Sequence, residues 1–206
     1  APGPATLSRR GVLALVGGGG ALIAILTAGQ TIGGAARRIS LLAPRGGYRA
    51  TPGDFPVNKT AAAAGLSARD VGDEWRLTLA HGSRTVELDR ARLLAMPQHT
   101  AVLPIACVEG WSTVQTWTGV RLRDLAALLD VAFPSSAYVR SLQRGGAFNH
   151  ATLQANQVSD PDALLALRVN GADLPIDHGY PARVIVPALP GVHNTKWVAS
   201  IEFRGG

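Results

Sequence analysis

The sequence contains very little cysteine and none of the common metal-binding or nucleotide-binding motifs. Cys107 is the single cysteine of 206 residues. This excludes an internal disulfide framework and any zinc or iron–sulfur site that needs several thiolates. The five histidines show no HxxxH, HExxH or HxH spacing, and GxGxxG, P-loop and GxSxG patterns are missing. Zinc hydrolases, nucleotide-binding folds and the common serine hydrolases are therefore not supported.

Acidic side chains are missing from residues 1–46, which carry five arginines. This segment supplies most of the net charge of +6, because the rest of the chain holds 15 lysines and arginines against 14 acids. The excess basicity flanks an apolar stretch, and no stripe of aromatic and basic residues occurs elsewhere. We therefore expect no nucleic-acid partner.

Residues 11–36 form an apolar run without a charged side chain. As a helix the run would rise about 39 Å, enough to cross a bilayer with some tilt. We expect a transmembrane or signal-anchor helix at 11–36, after a basic flank at 1–10 and before a linker at 37–54. The adjacent Arg9 and Arg10 are also typical of a twin-arginine export signal, so a cleaved signal and a permanent anchor both stay open.

Residues 55–206 have the pattern of an α+β domain of short strands with few helices, because the strand patterns do not alternate regularly with helices. A hairpin is predicted at 74–89, and a second one at Asn170-Gly171, the strongest short hairpin signal. Residues 99–108 are predicted to form a largely buried strand that ends near Cys107. Further predictions are helices at 89–97 and 119–132 and strands at 137–143, 182–189 and 196–203.

Cys107 lies where this apolar strand meets a turn-like segment, Glu109–Ser112. Composition alone favours an inert core cysteine, since free cysteine is among the most buried residue types. However, Cys107 lies at a strand end close to Glu109, and a glutamate is seldom buried without a partner. This position favours a functional thiolate instead. Such a thiolate can ligate a soft metal or attack an electrophile.

Two loops that contain glycine and proline, residues 177–183 and 190–196, flank one apolar strand. Each holds a histidine and a cation: His178 with Arg183, and His193 with Lys196. Backbone N–H groups together with Lys or Arg suit a phosphate, so the loops are a candidate anion cradle. Ordinary turns with solvated charges are the alternative.

Read together, these motifs resemble the molybdopterin-binding oxidoreductase domain of sulfite oxidases, plant nitrate reductases and bacterial periplasmic methionine-sulfoxide reductases. The resemblance covers roughly residues 45–206. It is carried by CVEGWS at 107–112 with WTGVRLRDL at 117–125, and by the segment from Gly179 to Glu202. The first motif is more similar to the methionine-sulfoxide reductase branch than to sulfite oxidase.

The resemblance implies a Mo-molybdopterin cofactor with Cys107 as the one protein ligand to molybdenum. It further implies that eight residues contact the pterin or its phosphate: Asn58, Lys59, Thr60, His178, Arg183, Asn194, Thr195 and Lys196. His178 departs from the branch pattern, which has an asparagine there, and Gln143 stands near a position where that branch has a threonine.

The function expected from the resemblance is a membrane-tethered, extracytoplasmic molybdenum oxidoreductase that performs oxygen-atom transfer with a small oxo-substrate. A membrane electron-transfer partner would supply or remove electrons. The alternative is a cofactor-free, extracytoplasmic binding module of a membrane protein that keeps the same fold.

Overall fold

The computed structural model describes residues 8–32, 55–107, 111–146, 148–188 and 191–205. The chain divides into two units, Ala1–Arg45 and Gly46–Gly206. In the first unit, helix α1 spans Arg9–Ile32.

Among the described residues, no helix has the length and apolarity that a membrane crossing requires. The transmembrane segment predicted at 11–36 is therefore not confirmed. The linker predicted at 37–54 lies outside the described residues.

Short strands dominate the described part of the second unit. The strands are β1 (Leu77–His81), β2 (Arg84–Leu88), β3 (His99–Cys107), β4 (Trp111–Arg121), β5 (Ser136–Ser141), β6 (His150–Gln154), β7 (Leu164–Val169), β8 (Ala172–Asp173), β9 (Arg183–Ile185) and β10 (Val198–Arg204). The helices are α2 (Arg90–Ala95), α3 (Leu122–Ala127) and α4 (Ala155–Val158), and 3-10 turns occur at Ile176–His178 and Gly191–His193.

The strands form two sheets. One has the order β2-β1-β10-β5-β6, in which β1 and β10 are parallel and the other pairs antiparallel. The other has the order β3-β4-β7-β8, with β9 also paired to β7. Mixed sheets with short helices confirm the α+β prediction.

The main hydrophobic core joins the two sheets. It combines Leu79 of β1 and Ile201 of β10 with Leu165 of β7 and Val184 of β9. A second cluster lies around β3, β4 and β7 and includes Ile105, Trp111 and Trp117. Strand β7 contributes side chains to both clusters and is therefore buried on both faces. This burial stabilises the sheet whose strand β3 ends at Cys107.

Three local predictions are confirmed. The hairpin at 74–89 corresponds to β1 and β2. Asp89 caps α2, because its Oδ1 accepts the N–H of Arg92 at 2.7 Å. Asn170 and Gly171 both have positive φ and join β7 to β8, as a tight hairpin turn requires.

Three predictions differ from the structure in extent or burial, and two strands were missed. The helix predicted at 119–132 spans only Leu122–Ala127, because β4 continues to Arg121 and pairs there with β7. Strand β3 is not largely buried: its residues alternate, and Val102 is 66% exposed, because one face of the strand lies away from the core. The strand predicted at 182–189 spans only Arg183–Ile185. Strands β4 and β6 were not predicted, and β4 begins at Trp111, inside the segment expected to be a turn.

Candidate functional site

Cys107 is the last residue of β3, opposite Trp111 at the start of β4. The thiol side chain is partly exposed and packs against the cluster that contains Ile105 and Trp111. It lines a cavity of about 250 Å³. A thiol in this position is accessible to a ligand, unlike the inert core cysteine that composition alone favours.

Gly191 brings the loop 191–196 against the cysteine strand. A Cβ atom at position 191 would lie 2.5 Å from the carbonyl oxygen of Ala106 and 3.7 Å from the Cα of Cys107. A side chain cannot fit at the first of these distances, so glycine permits this close approach. The loop that carries Asn194, Thr195 and Lys196 therefore starts beside Cys107.

Arg183 joins the two predicted loops. Its side chain is buried at the start of β9, with Nη1 donating to the carbonyl of His178 at 3.0 Å and Nη2 to the carbonyl of Asn194 at 3.1 Å. The guanidinium also lies 5.4 Å from the ring centroid of Trp117. Burial lowers the pKa of Arg183 to about 9. The side chain therefore stays protonated at neutral pH.

Lys196 places a second cation in the cavity. Its Nζ donates to the carbonyls of Lys59 at 2.5 Å and Asp177 at 2.9 Å, and lies 4.6 Å from the Trp197 ring centroid. Burial, and then the charge of Arg183, lower the pKa of Lys196 to about 7, while Asp177 and Cys107 act in the opposite direction. An anion bound beside this ammonium group would favour its charged form.

His178 is held as a neutral ring with one nitrogen available. Its Nε2 lies 3.0 Å from the carbonyl oxygen of Phe55. Because a carbonyl only accepts hydrogen bonds, Nε2 carries the proton and Nδ1 is the acceptor. Burial lowers the pKa of His178, although the bond to Phe55 raises it, so the ring is neutral at pH 7. The Phe55 ring centroid lies 4.0 Å away and restrains the imidazole.

Several buried polar atoms of the cavity have no hydrogen-bond partner among the described residues. These atoms are Nδ1 of His178, Nε of Arg183, Nδ2 of Asn194 and Oγ1 of Thr195. Buried polar atoms are nearly always paired in folded proteins, by water or a ligand where protein groups are missing. The set offers an acceptor, two donors and a hydroxyl, which suits a polar molecule with both donors and acceptors.

The charge of the cavity is positive. Lys59, Arg183 and Lys196 line it together with the single described carboxylate of Asp177. That carboxylate is engaged, because its Oδ1 accepts the N–H of Ala61 at 2.8 Å. The cavity therefore favours an anionic group such as a phosphate.

The structure brings all but one of the predicted site residues to this cavity. The residues that line it are Asn58, Lys59, Cys107, His178, Arg183, Asn194, Thr195 and Lys196. Thr60 is exposed and is not among the lining residues; its Oγ1 accepts the N–H of Ala63 at 3.1 Å and stabilises a turn. Their roles toward a cofactor stay predictions.

The sequence did not point to several lining residues. Asp177 and Trp197 directly follow or precede predicted residues, so their position along the chain was the available signal. Ser141 had none: its Oγ donates to the carbonyl of Lys196 at 2.7 Å and accepts the N–H of Gln143 at 3.1 Å. These bonds link β5 to the cation loop.

A thiolate ligand beside buried cations and unpartnered polar atoms is the kind of site that binds a soft metal together with a large anionic cofactor. Residues 64–205 match the family model described as "Oxidoreductase molybdopterin binding domain". The chain belongs to this family, and its fold is of the sulfite-oxidase type. The resemblance identified from the sequence is therefore confirmed.

Individual relatives agree with the family. The chain is 30% identical to mitochondrial sulfite oxidase of Mus musculus, over 61% of this chain and 28% of that protein. It is 41% identical to sulfite oxidase of Arabidopsis thaliana over 42% of this chain and 25% of the relative. An uncharacterized oxidoreductase of Bacillus subtilis is 31% identical over 53% of this chain and 54% of its own length. The matched region thus spans about a quarter to a half of these relatives.

A solved structure shares the fold. The sulfane dehydrogenase SoxCD from Paracoccus pantotrophus superimposes with a TM-score of 0.57 and 23% identity, over 64% of this chain and 38% of that chain. The likeness supports the fold alone. The activity named for SoxCD is that of SoxCD.

The residues present fit the Mo-molybdopterin cofactor that the family implies. The cavity supplies a soft thiolate for the metal, cations for a phosphate, and buried polar atoms that await partners. Each matches a chemical feature of a metal–pterin phosphate.

The titration of Lys196 gives a first prediction. Its pKa is about 7 in the fold and 10.5 as the reference value, so the unfolded chain binds more protons between these values. The cofactor-free protein should therefore gain stability as pH rises from 7 toward 10, with a slope of up to ~1.4 kcal/mol per pH unit. Below pH 7, Lys196 is protonated in both the folded and the unfolded chain. Its unfavourable contribution to the free energy of unfolding is then at its full value and no longer changes with pH.

Denaturant unfolding at pH 7, 8 and 9 measures this slope. Lys196→Met removes the titrating group, so its advantage over the natural chain should shrink as pH rises. Parallel pH dependences for the two proteins would contradict the assignment.

Thr195 gives a second prediction, with a matched control at Thr113. Thr195→Val removes a buried hydroxyl that has no partner among the described residues. The cofactor-free protein should lose no stability, whereas cofactor retention should fall about tenfold. In Thr113→Val the amide of Gln115 loses its acceptor, now at 2.6 Å, so unfolding should become easier by about 1–3 kcal/mol.

Denaturant unfolding of the cofactor-free variants and molybdenum retention after gel filtration of the loaded ones measure the two effects. Equal retention in Thr195→Val and the natural chain would show that this hydroxyl does not bind the cofactor.

Proposed function

We propose that this protein is a molybdenum-molybdopterin oxidoreductase that catalyses oxygen-atom transfer to or from a small oxo-substrate. The observation that carries the proposal is the partly exposed Cys107 in a cavity lined by buried cations and unpartnered polar atoms. Relatives named sulfite oxidase support sulfite or a similar small oxo-compound as the substrate class.

Cys107 is the metal ligand in this proposal. A thiolate suits a soft metal, and one protein ligand leaves positions open for the substrate. The close approach of Gly191 to Ala106 and Cys107 keeps the cysteine backbone in a fixed place beside the loop. When bound, Mo-molybdopterin supplies a metal that exchanges an oxygen atom and two electrons with the substrate.

The two loops hold the cofactor. Arg183 and Lys196 are the cations for the phosphate, and they are held in place by backbone carbonyls. Nδ1 of His178 accepts a hydrogen bond, and Nδ2 of Asn194 donates one. Because Oδ1 of Asn194 already accepts the N–H of Val186 at 2.9 Å, the amide is fixed with its donor unpaired by described groups.

The overall reaction requires an electron partner. In the oxidising direction the substrate gains one oxygen atom from water, and two protons and two electrons are released. In the reducing direction the substrate loses that oxygen atom as water and consumes them. A membrane-bound or soluble one-electron redox protein would accept or donate these electrons.

The alternative function is a binding module that has lost the cofactor. In such a module, buried polar atoms without partners would only lower stability, because their desolvation is unfavourable and no ligand would compensate for it. Within the described residues four such atoms line the cavity, together with Cys107. Their retention supports the enzyme.

A membrane-attached, extracytoplasmic location completes the proposal. Its support comes from the sequence: the uncharged stretch 11–36 and the preceding Arg9-Arg10 pair. Fractionation of cells that express the whole protein, followed by an alkaline wash of the membranes, tests this location. We expect the protein to remain in the washed membranes and to be found outside the cytoplasmic fraction. Protein confined to the cytoplasm would contradict the proposed location.

The enzymatic proposal is tested by Cys107→Ser. Protein loaded in molybdenum-replete cells is assayed with sulfite and with sulfoxides, using artificial electron acceptors and donors. The natural chain should turn over at least one substrate, and the serine variant should lose more than about 100-fold of that rate because its ligand is hard and less polarisable. Val102→Ser, an exposed change on the same strand, is the control and should keep full activity.

The visible spectrum gives an independent readout. The absorption that the cysteine thiolate-to-metal transition contributes should be present in the natural chain and in Val102→Ser, and lost in Cys107→Ser. Activity and spectrum unchanged by the serine substitution would sink the assignment of Cys107.

A further inference from the structure

A second opening lies beside the cofactor cavity. It is a cleft of about 310 Å³ on the β5–β6 side of the first sheet. Arg140, Arg144 and His150 line it, and we call it the basic cleft. Ser141 and Gln143 line both openings, so the two are adjacent.

The cations of the basic cleft are not held in ion pairs by other described residues. Arg140 and Arg144 are exposed and form no ion pair with any other described residue. On the sheet, Arg140 lies between Ser200 of β10 and His150 of β6, and neither is acidic. The cleft therefore has positive charge to offer an incoming anion.

Two carboxylates of the neighbourhood are held by groups outside the cleft: Asp70, on which the charge of Arg144 acts, and Glu202, which lies opposite Tyr138 on the sheet. Hydrogen bonds from Ser67 lower the pKa of Asp70, and the charge of Arg144 contributes to the same shift. The Asp70 carboxylate accepts the N–H and hydroxyl of Ser67 at 2.7 and 2.6 Å. Glu202 accepts from Nε of Arg204 at 2.8 Å.

Aromatic and amide contacts hold the His150 ring at the edge of the cleft. The ring centroid lies 5.3 Å from that of Tyr138, and Nδ1 is 2.8 Å from Oδ1 of Asn149. Since an amide oxygen accepts, Nδ1 donates this bond and Nε2 is left for another contact. The ring is thus oriented before any ligand binds.

One chain segment forms the wall between the two openings. Residues 143–146 and 148–150 place Gln143, Gly146 and Phe148 on the cofactor cavity and Gln143, Arg144, Asn149 and His150 on the basic cleft. Phe148 is 58% exposed. A molecule that lies across this wall would meet cations at one end and an exposed aromatic ring toward Cys107.

We propose that Arg140 and Arg144, beside the oriented ring of His150, form an anion subsite that binds a carboxylate or similar oxyanion group next to the cofactor cavity. Two sources carry this chemistry: a distal acidic group of the oxo-substrate itself, or a free inorganic anion. The first source rests on the proposed function, whereas the subsite itself does not. Guanidinium groups suit oxyanions because they donate two parallel hydrogen bonds.

Anion binding is tested on the loaded protein by following the His150 ring C–H signal in NMR, assigned with His150→Gln. The probes are inorganic sulfate, 3-(methylsulfinyl)propanoate and its neutral amide. Sulfate and the carboxylate should shift the signal saturably, and the double variant Arg140→Gln/Arg144→Gln should weaken both about tenfold. The amide should show no dependence on the double variant.

Arg92→Gln/Arg123→Gln is the matched control, since it removes two exposed arginines that line neither opening. It should bind the probes like the natural chain. Equal weakening of anion binding by both double variants would show that only net charge matters, and the subsite would be refuted. A His150 signal that does not shift with any anion would refute it as well.

Kinetics with the same probes distinguish the two sources. If the substrate's own group occupies the subsite, the KM of the carboxylate should rise about tenfold in Arg140→Gln/Arg144→Gln while the KM of the amide stays constant. If both KM values stay constant but sulfate binding is lost, a free anion is the occupant. Absence of turnover with every substrate would refute the proposed function alone, because the NMR titration still decides the subsite.

Discussion

The buried guanidinium of Arg183 holds the candidate site together. Two of its nitrogens donate to the carbonyls of His178 and Asn194, so one side chain ties both loops to β9. Charge is costly to bury unless it is paired and hydrogen-bonded. Among the described residues the third nitrogen has no partner and no carboxylate forms an ion pair with the group. An anionic cofactor would complete the arrangement, which explains why a fold would keep it.

The same reasoning connects Lys196, His178 and Cys107. Lys196 has a lowered pKa because it is buried near Arg183, and a bound phosphate would stabilise its charge. His178 stays neutral and turns an acceptor toward an unpaired environment, so the cavity offers more than positive charge. Cys107 adds a soft ligand at the edge of this polar surface. In the proposed site, phosphate binding, pterin recognition and metal ligation would thus depend on one set of packed loops.

Much of this arrangement was predictable because it follows local rules. Turn residues marked the Asn170-Gly171 hairpin, and alternating residues marked β1, β2 and β10. The two cation-bearing loops were recognised by their glycine, proline and basic residues, and the cysteine by its place after a strand. The short helix α3 and the strands β4 and β6 were not predicted correctly, because tertiary pairing decided all three.

The convergence of the site could not be read from spacing. His178 meets Phe55 through a hydrogen bond between residues 123 positions apart, and Lys196 reaches the carbonyl of Lys59 across 137 positions. Ser141 entered the site through sheet pairing of β5 with β10. Thr60 shows the opposite error: it lies next to Lys59 in sequence, yet its hydroxyl serves a turn. Family resemblance supplied what periodicity could not.

We infer that Cys107, Arg183 and Lys196 belong to one Mo-molybdopterin site. Elemental and pterin analysis of protein purified from molybdenum-replete cells tests it most directly. One molybdenum and one pterin phosphate per chain are expected, and the content of both should fall together in Arg183→Gln. Protein that is folded yet contains neither molybdenum nor pterin would contradict it.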